Sequence, residues 1–131
     1  MIPLLDLQHA QLDRADGPLA RACETYGFFY LSGHDISLTE QKAVLTFANE
    51  FFAQTLSVKN QIRRTETNSW GYFDAELTKN QTDWKEILDI GPATEGGPLA
   101  GSFPQWPQTP GFKACLDGFR AKLHDVAIAI M

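Results

Sequence analysis

The stretch Ala22-Cys23-Glu24-Thr25-Tyr26-Gly27-Phe28-Phe29-Tyr30-Leu31-Ser32-Gly33-His34 constrains this chain more than any other. Ala22, Cys23 and Tyr26 lie at the i, i+1, i+4 spacing of one helical face, and Gly27 offers the left-handed conformation that ends a helix. Phe28 to Leu31 follow as a short apolar β run. A helix, a glycine stop and a buried strand are therefore expected in succession.

Around this passage the pattern alternates between strands and helices. Leu4, Leu5 and Leu7 around Asp6 suggest a first strand, and Asp16-Gly17-Pro18 supplies an N-cap candidate with a proline near the first turn of a helix over about 18–26. Ser37-Leu38-Thr39-Glu40 reads as a capping box, where hydroxyl and carboxylate satisfy each other's backbone amides. Val44, Phe47, Ala48, Phe51 and Phe52 continue it as an apolar stripe of 3.6-residue period to about Gln54. Residues 57–69 are polar and predict a short helical turn and an exposed loop. Trp70 to Phe73 and Glu86 to Ile90 predict two strands. Five glycines and five prolines between Gly91 and Gly111 rule out a continuous helix or central strand there. That long connection is read as a surface excursion packed by Phe103 and Trp106, with a substrate lid as the alternative. Thr109-Pro110 opens a last helix as N-cap and N1, with Phe112, Cys115, Leu116, Phe119, Leu123, Val126, Ala127 and Ile130 on one apolar face.

At 131 residues the chain is long enough for one small domain. A net charge of −5, with no basic cluster beyond Arg63-Arg64, argues against a nucleic-acid groove. No apolar run approaches the roughly 18 residues of a membrane span, and Met1-Ile2-Pro3 does not open a signal peptide. No nucleic-acid partner, no membrane association and a cytoplasmic location are expected. Cys23 and Cys115 lie far apart, each on the apolar face of an expected helix, which predicts buried reduced thiols.

Candidate chemistry is sparse. There is no P-loop, dinucleotide fingerprint, nucleophile elbow or Cys-x-x-Cys pair. His124 and Asp125 are helix neighbours that point about 100° apart, and His9 has no partner nearby in sequence. Asp83 and Glu86 suggest a carboxylate pair for acid–base work, but Lys85 stands between them and no second pair completes a site. Glu86 is read instead as the anchor of a hydrogen-bonded turn or as an ion-pair partner of Arg63 or Arg64.

The residue 22–34 passage, preceded by Ile2-Pro3-Leu4-Leu5-Asp6-Leu7, closely resembles the opening of the isopenicillin-N-synthase-like Fe(II)/2-oxoglutarate-dependent oxygenases. Phe51-Phe52 with Leu56-Ser57-Val58-Lys59 is similar to the family's F-F-x-L-(P/S)-x-x-x-K segment. Gly71-Tyr72, Asp83-Trp84-Lys85-Glu86 and Gln105-Trp106-Pro107 resemble its G-Y, D-x-K-E and W-P landmarks, in the family's order and at similar separations. One departure is visible: Asp35 stands where the family usually has glycine after the histidine. Aspartate tolerates the left-handed region, so the turn is expected to survive.

The resemblance implies an α/β (α+β) N-terminal part of a jelly-roll (double-stranded β-helix) oxygenase that oxidises a small organic substrate. Iron in that family sits on two histidines and one carboxylate, beginning with a His-x-Asp pair. No His-x-Asp occurs here, and His34 is implied to be structural, with metal ligation as the alternative. The triad and the 2-oxoglutarate arginine belong to strands beyond the region matched, so Fe(II) and 2-oxoglutarate are expected in the parent enzyme and not on this chain alone. The partner implied is the jelly-roll half of the same protein. Residues 1–131 are then one N-terminal domain cut within its last helix, a reading to which the uncapped apolar run Val126 to Met131 also leads. By position, Tyr72, Phe73, Asp74 and, more weakly, Trp84 are substrate-facing candidates, with strand-to-core packing as the alternative for Tyr72 and Phe73. The competing reading is a complete non-catalytic module that docks through its terminal helix.

Overall fold

The computed structural model describes residues 1–8, 16–78 and 80–131, and His9 lies outside them. The described residues divide into two units, Met1–Lys42 with Leu116–Met131 and, separately, Ala43–Cys115. Strand and helix are mixed, as expected of an α/β (α+β) chain.

In the first unit, β1 (Leu4–Asp6) and β2 (Tyr30–Ser32) run parallel with Leu5 opposite Leu31. The helix α1 (Pro18–Tyr26) connects them and starts on Gly17 with Pro18 in its first turn. Gly27 ends it at φ 73°, where its N–H donates to the Ala22 and Cys23 carbonyls. Asp35 takes the left-handed conformation at φ 53°, so the turn survives the departure from glycine. Beside it, His34 Nδ1 accepts the Ile36 N–H at 3.1 Å, a local structural role. The burial expected for this passage is not present. Ala22 and Leu5 are buried, but Phe28, Tyr30 and Cys23 are exposed, because only two strands make up the sheet and no described segment covers that face.

The capping box is formed. The Glu40 N–H donates to Ser37 Oγ at 3.2 Å and the Ser37 N–H donates to Glu40 Oε2 at 2.9 Å, opening α2 (Leu38–Phe52). Lys122 also pairs with Glu40, and the two contacts, Lys122 first and then Ser37, hold that carboxyl down at about 2.

The second unit is built on aromatic packing. Phe51, near the end of α2, meets Phe52, Tyr72 and Phe112 edge-on at centroid distances of 5.1, 6.1 and 6.2 Å. Phe51, Tyr72 and Phe112 are the largest fully buried side chains of the described residues. After α2 come α3 (Leu56–Lys59) and a 3₁₀ turn, Asn60–Ile62. β3 (Gly71–Phe73) pairs antiparallel with β6 (Ile87–Asp89), Tyr72 opposite Leu88. The polar stretch between them folds as a hairpin of β4 (Leu77–Thr78) and β5 (Gln81–Thr82). Within residues 57–69 the expected helical turn is present as α3 and the 3₁₀ turn, but the loop expected to be exposed buries Asn68, and Lys59 at the end of α3 is buried too, because each is claimed by hydrogen bonds with other parts of the unit.

Gly71 is required where it stands. At φ +125° a Cβ would overlap the Ile62 carbonyl oxygen and lie 2.6 Å from Gln105 Nε2. The long 91–111 connection closes on itself, with the Thr94 N–H donating to the Ser102 carbonyl and the Gly101 N–H to Thr94, both at 2.9 Å. The last helix, α4 (Phe112–Ala129), begins two residues later than Thr109-Pro110 suggested. Gly111 sits at φ 84°, outside helical space, and its carbonyl accepts the Cys115 N–H.

Phe51→Ala is expected to lower unfolding free energy by about 3–5 kcal/mol, the cost of emptying a packed aromatic site. Leu45→Ala, on the exposed face of the same helix, is expected to stay within about 0.5 kcal/mol. Urea denaturation of the two variants checks this, and equal losses would show that the aromatic cluster is not the core.

Candidate functional site

The polar groups of the second unit converge on Tyr72. Its ring is fully buried, with Lys59 Nζ 5.4 Å from its centroid and the Arg63 guanidinium 5.9 Å away. Two cations against the electron-rich ring are favourable. Its hydroxyl donates to Glu86 Oε1 at 3.0 Å and stands 3.4 Å from Asp74 Oδ2. Burial first, and then the two carboxylates, push the phenol up to about 12.

Local sequence explains why these groups meet. The β3–β6 register sets Phe73 opposite Ile87, so the next positions outward are Asp74 and Glu86, two like charges at the end of one strand pair. Each carboxylate has its own cation, delivered by the turn after α2. Lys59 donates to both Glu86 oxygens at 2.8 and 2.7 Å, and Arg63 Nη2 donates to Asp74 Oδ1 at 2.5 Å. A third pair, Arg64 with Asp89, lies three positions further along the strand pair, where Asp89 stands opposite Gly71, and Arg64 also stacks 5.2 Å from the Phe73 ring. Lys59 draws the Glu86 carboxyl below the usual carboxylate range against the opposing effect of desolvation. Arg63 does the same for Asp74, and Asp74 in turn raises the Arg63 guanidinium.

The partner of Glu86 is therefore Lys59. Neither arginine reaches it, since Arg63 is held by Asp74 and by Asn60 Oδ1 at 2.8 Å, and Arg64 by Asp89. Asp83 and Glu86 do not act as a pair: Asp83 faces Lys85 at 3.8 Å while Glu86 turns to Lys59 and Tyr72. Of the four substrate-facing candidates, Tyr72 is buried, Phe73 and Asp74 are partly exposed, and Trp84 is fully exposed beside the β4–β5 hairpin. The geometry thus joins Tyr72 and Asp74 in one network and leaves Trp84 outside it.

The network rests on a second layer. Gln105 Nε2 donates to the Trp70 carbonyl at 2.7 Å and to the Arg63 carbonyl at 3.1 Å, fixing the backbone on both sides of Gly71. Asn68 Oδ1 accepts the N–H groups of Trp70 and Phe103, and Trp70 Nε1 donates to the Pro92 carbonyl. Each landmark of the sequence thus has a mechanical role: the lysine after Phe51-Phe52 binds the glutamate of Asp83-Trp84-Lys85-Glu86, and the glutamine of Gln105-Trp106-Pro107 supports Gly71-Tyr72.

A family described as "non-haem dioxygenase in morphine synthesis N-terminal" matches residues 2–109. The chain belongs to this non-haem dioxygenase N-terminal family. Gibberellin 20 oxidase 2 of Oryza sativa subsp. japonica is 35% identical over 82 residues, covering 61% of this chain and 21% of the relative. Homoarginine-6-hydroxylase 2-ODD-C23 of Glycine max is 28% identical over 99% of this chain and 46% of its own length. A probable iron/ascorbate oxidoreductase of Dictyostelium discoideum is 29% identical over 102 residues, 69% of this chain and 28% of the relative. The chain spans less than half the length of each.

The donor set of the described residues does not fit the iron that the dioxygenase family implies. Among them no three His, Cys, Asp or Glu side chains gather where they could hold a metal ion. The carboxylates of the Tyr72 network are already matched one to one by Lys59, Arg63 and Arg64. Among the described residues no helix is long and apolar enough to cross a membrane.

Because the folded Glu86 and Asp74 carboxyls sit below their unfolded values, their contribution is complete above about 4.5, the ordinary glutamate value, and is lost as pH falls through the folded values. The urea midpoint is expected to drop steadily below pH 4.5, and Glu86→Gln to flatten that dependence. An unchanged pH slope in Glu86→Gln would remove Glu86 from the network.

Proposed function

We propose that this chain is the N-terminal structural and substrate-shaping region of a non-haem Fe(II)/2-oxoglutarate-dependent dioxygenase that oxidises a small organic substrate. The iron and 2-oxoglutarate then belong to a jelly-roll part of the same protein, which is the partner of the residues described. The match of residues 2–109 to the family carries this reading. Two further features support it. The relatives extend well beyond the aligned region. A parallel pair of strands is normally covered on both faces, yet Leu4, Phe28 and Tyr30 on and beside β1 and β2 are exposed, as are Leu123 and Ile128 of α4. A jelly roll seated there would bury them.

Within this reading the segment after β3 contributes to the substrate wall. Asp74 and Trp84 offer side chains at the surface, Phe73 is the partly exposed strand residue before them, and Tyr72 stands behind, its hydroxyl 3.4 Å from Asp74 Oδ2 while Arg63 holds that carboxylate. Iron, when bound in the whole enzyme, supplies the oxygen chemistry. The residues of this chain orient, support and exclude water.

The purified chain, supplied with ferrous iron, ascorbate and 2-oxoglutarate, is expected to form no succinate above a protein-free control. Its coding sequence is expected to continue past Met131 through a His-x-Asp pair and a later histidine. Iron-dependent succinate formation by the chain itself would contradict the assignment.

A further inference from the structure

A cavity of about 240 Å³ lies in the second unit between the end of α2, the turn after it and the segment that precedes α4. Its floor is apolar, made by the buried Phe51 and Ile62 with Val58 and Pro107 beside them. Its other lining residues are Gln54, Gln61, Gln108 and Thr109, none of them charged. Among the described residues the three glutamine carboxamides have no side-chain hydrogen bond. Gln105 nearby is the contrast, since both its bonds go to backbone carbonyls that hold the sheet.

A carboxamide carries two donor hydrogens and an acceptor oxygen on one plane. Three of them around an apolar floor offer donors and acceptors together, without net charge. We propose that this cavity binds a small uncharged molecule with an apolar body and an amide-like donor–acceptor edge. Such a molecule exchanges water hydrogen bonds for carboxamide bonds at its edge and buries its body against Phe51 and Ile62. A carboxylate or ammonium of the same shape loses hydration there and meets no opposite charge. The volume is below the roughly 300–1,000 Å³ of drug-sized sites, which limits the ligand to about one ring with a substituent. Nothing in this inference depends on where the iron and 2-oxoglutarate are held.

The test is a titration of the ¹⁵N-labelled full chain with benzamide, benzoate and benzylammonium, following the side-chain NH₂ signals of its glutamines. Benzamide is expected to shift the signals of Gln54, Gln61 and Gln108 and to leave that of Gln105 in place, with benzoate and benzylammonium about tenfold weaker or more. Gln61 is exposed, so Gln61→Leu is expected to keep the backbone spectrum and to weaken benzamide about five- to tenfold, the loss of one hydrogen bond. Gln108→Leu, also at an exposed position, is the second variant and is expected to do the same. The proposal is overturned if benzamide shifts none of the three signals, if benzoate or benzylammonium binds as well as benzamide, or if both variants bind benzamide like the unaltered chain.

Discussion

The ammonium of Lys59 has three protons and three acceptors in the fold. One is the Phe52 carbonyl at 3.1 Å, left open where α2 ends, and the other two are the oxygens of Glu86. A helix end, a turn and a strand are thereby fixed to one side chain that is 5% exposed. A buried cation is stable only when each of its protons is accepted and its charge is opposed. Glu86 meets both needs because β6 places it at the end of the strand pair, where Tyr72 also reaches it.

Much of the second unit follows from that bridge. Once α2 and β6 are tied, the segment between Lys59 and Arg64 lies along β3, with the Arg64 N–H donating to the Tyr72 carbonyl at 3.0 Å. Arg63 and Arg64 then face Asp74 and Asp89. The tight approach of this segment is what excludes a side chain at Gly71. Phe51, one residue before the capped end of α2, is brought edge-on to Tyr72, so the apolar core and the charged network share one residue. The first unit uses milder devices of the same kind, a reciprocal Ser37–Glu40 cap and the Lys122 contact to that glutamate.

Elements whose determinants are local were legible in the sequence. The α1 stop at Gly27, the left-handed Asp35, the Ser37–Glu40 cap and the β3 and β6 segments each depend on residues within a few positions of one another. What was missed depends on distance or on a competing conformation. The Lys59–Glu86 pair spans 27 positions, and charge pattern alone pointed to the nearer arginines. The signal was present in the family landmarks, one ending in lysine and another in glutamate, but not in the chemistry of either taken singly. The start of α4 was misplaced because Pro110 is a good first helical residue while Gly111, at φ 84°, breaks the path at the very next position. Cys23 and Tyr30 were read as buried from their apolar spacing, but spacing defines a face and not what covers it.

A double-mutant cycle on Lys59→Met and Glu86→Gln, measured by urea unfolding at neutral pH, tests the bridge most directly. Glu86 keeps some contact with solvent, so the coupling is expected at about 1–3 kcal/mol, below the cost of breaking a fully buried pair. Additive losses, with a coupling under about 0.5 kcal/mol, would mean that Lys59 and Glu86 stabilise the fold independently and that the account of the second unit is wrong.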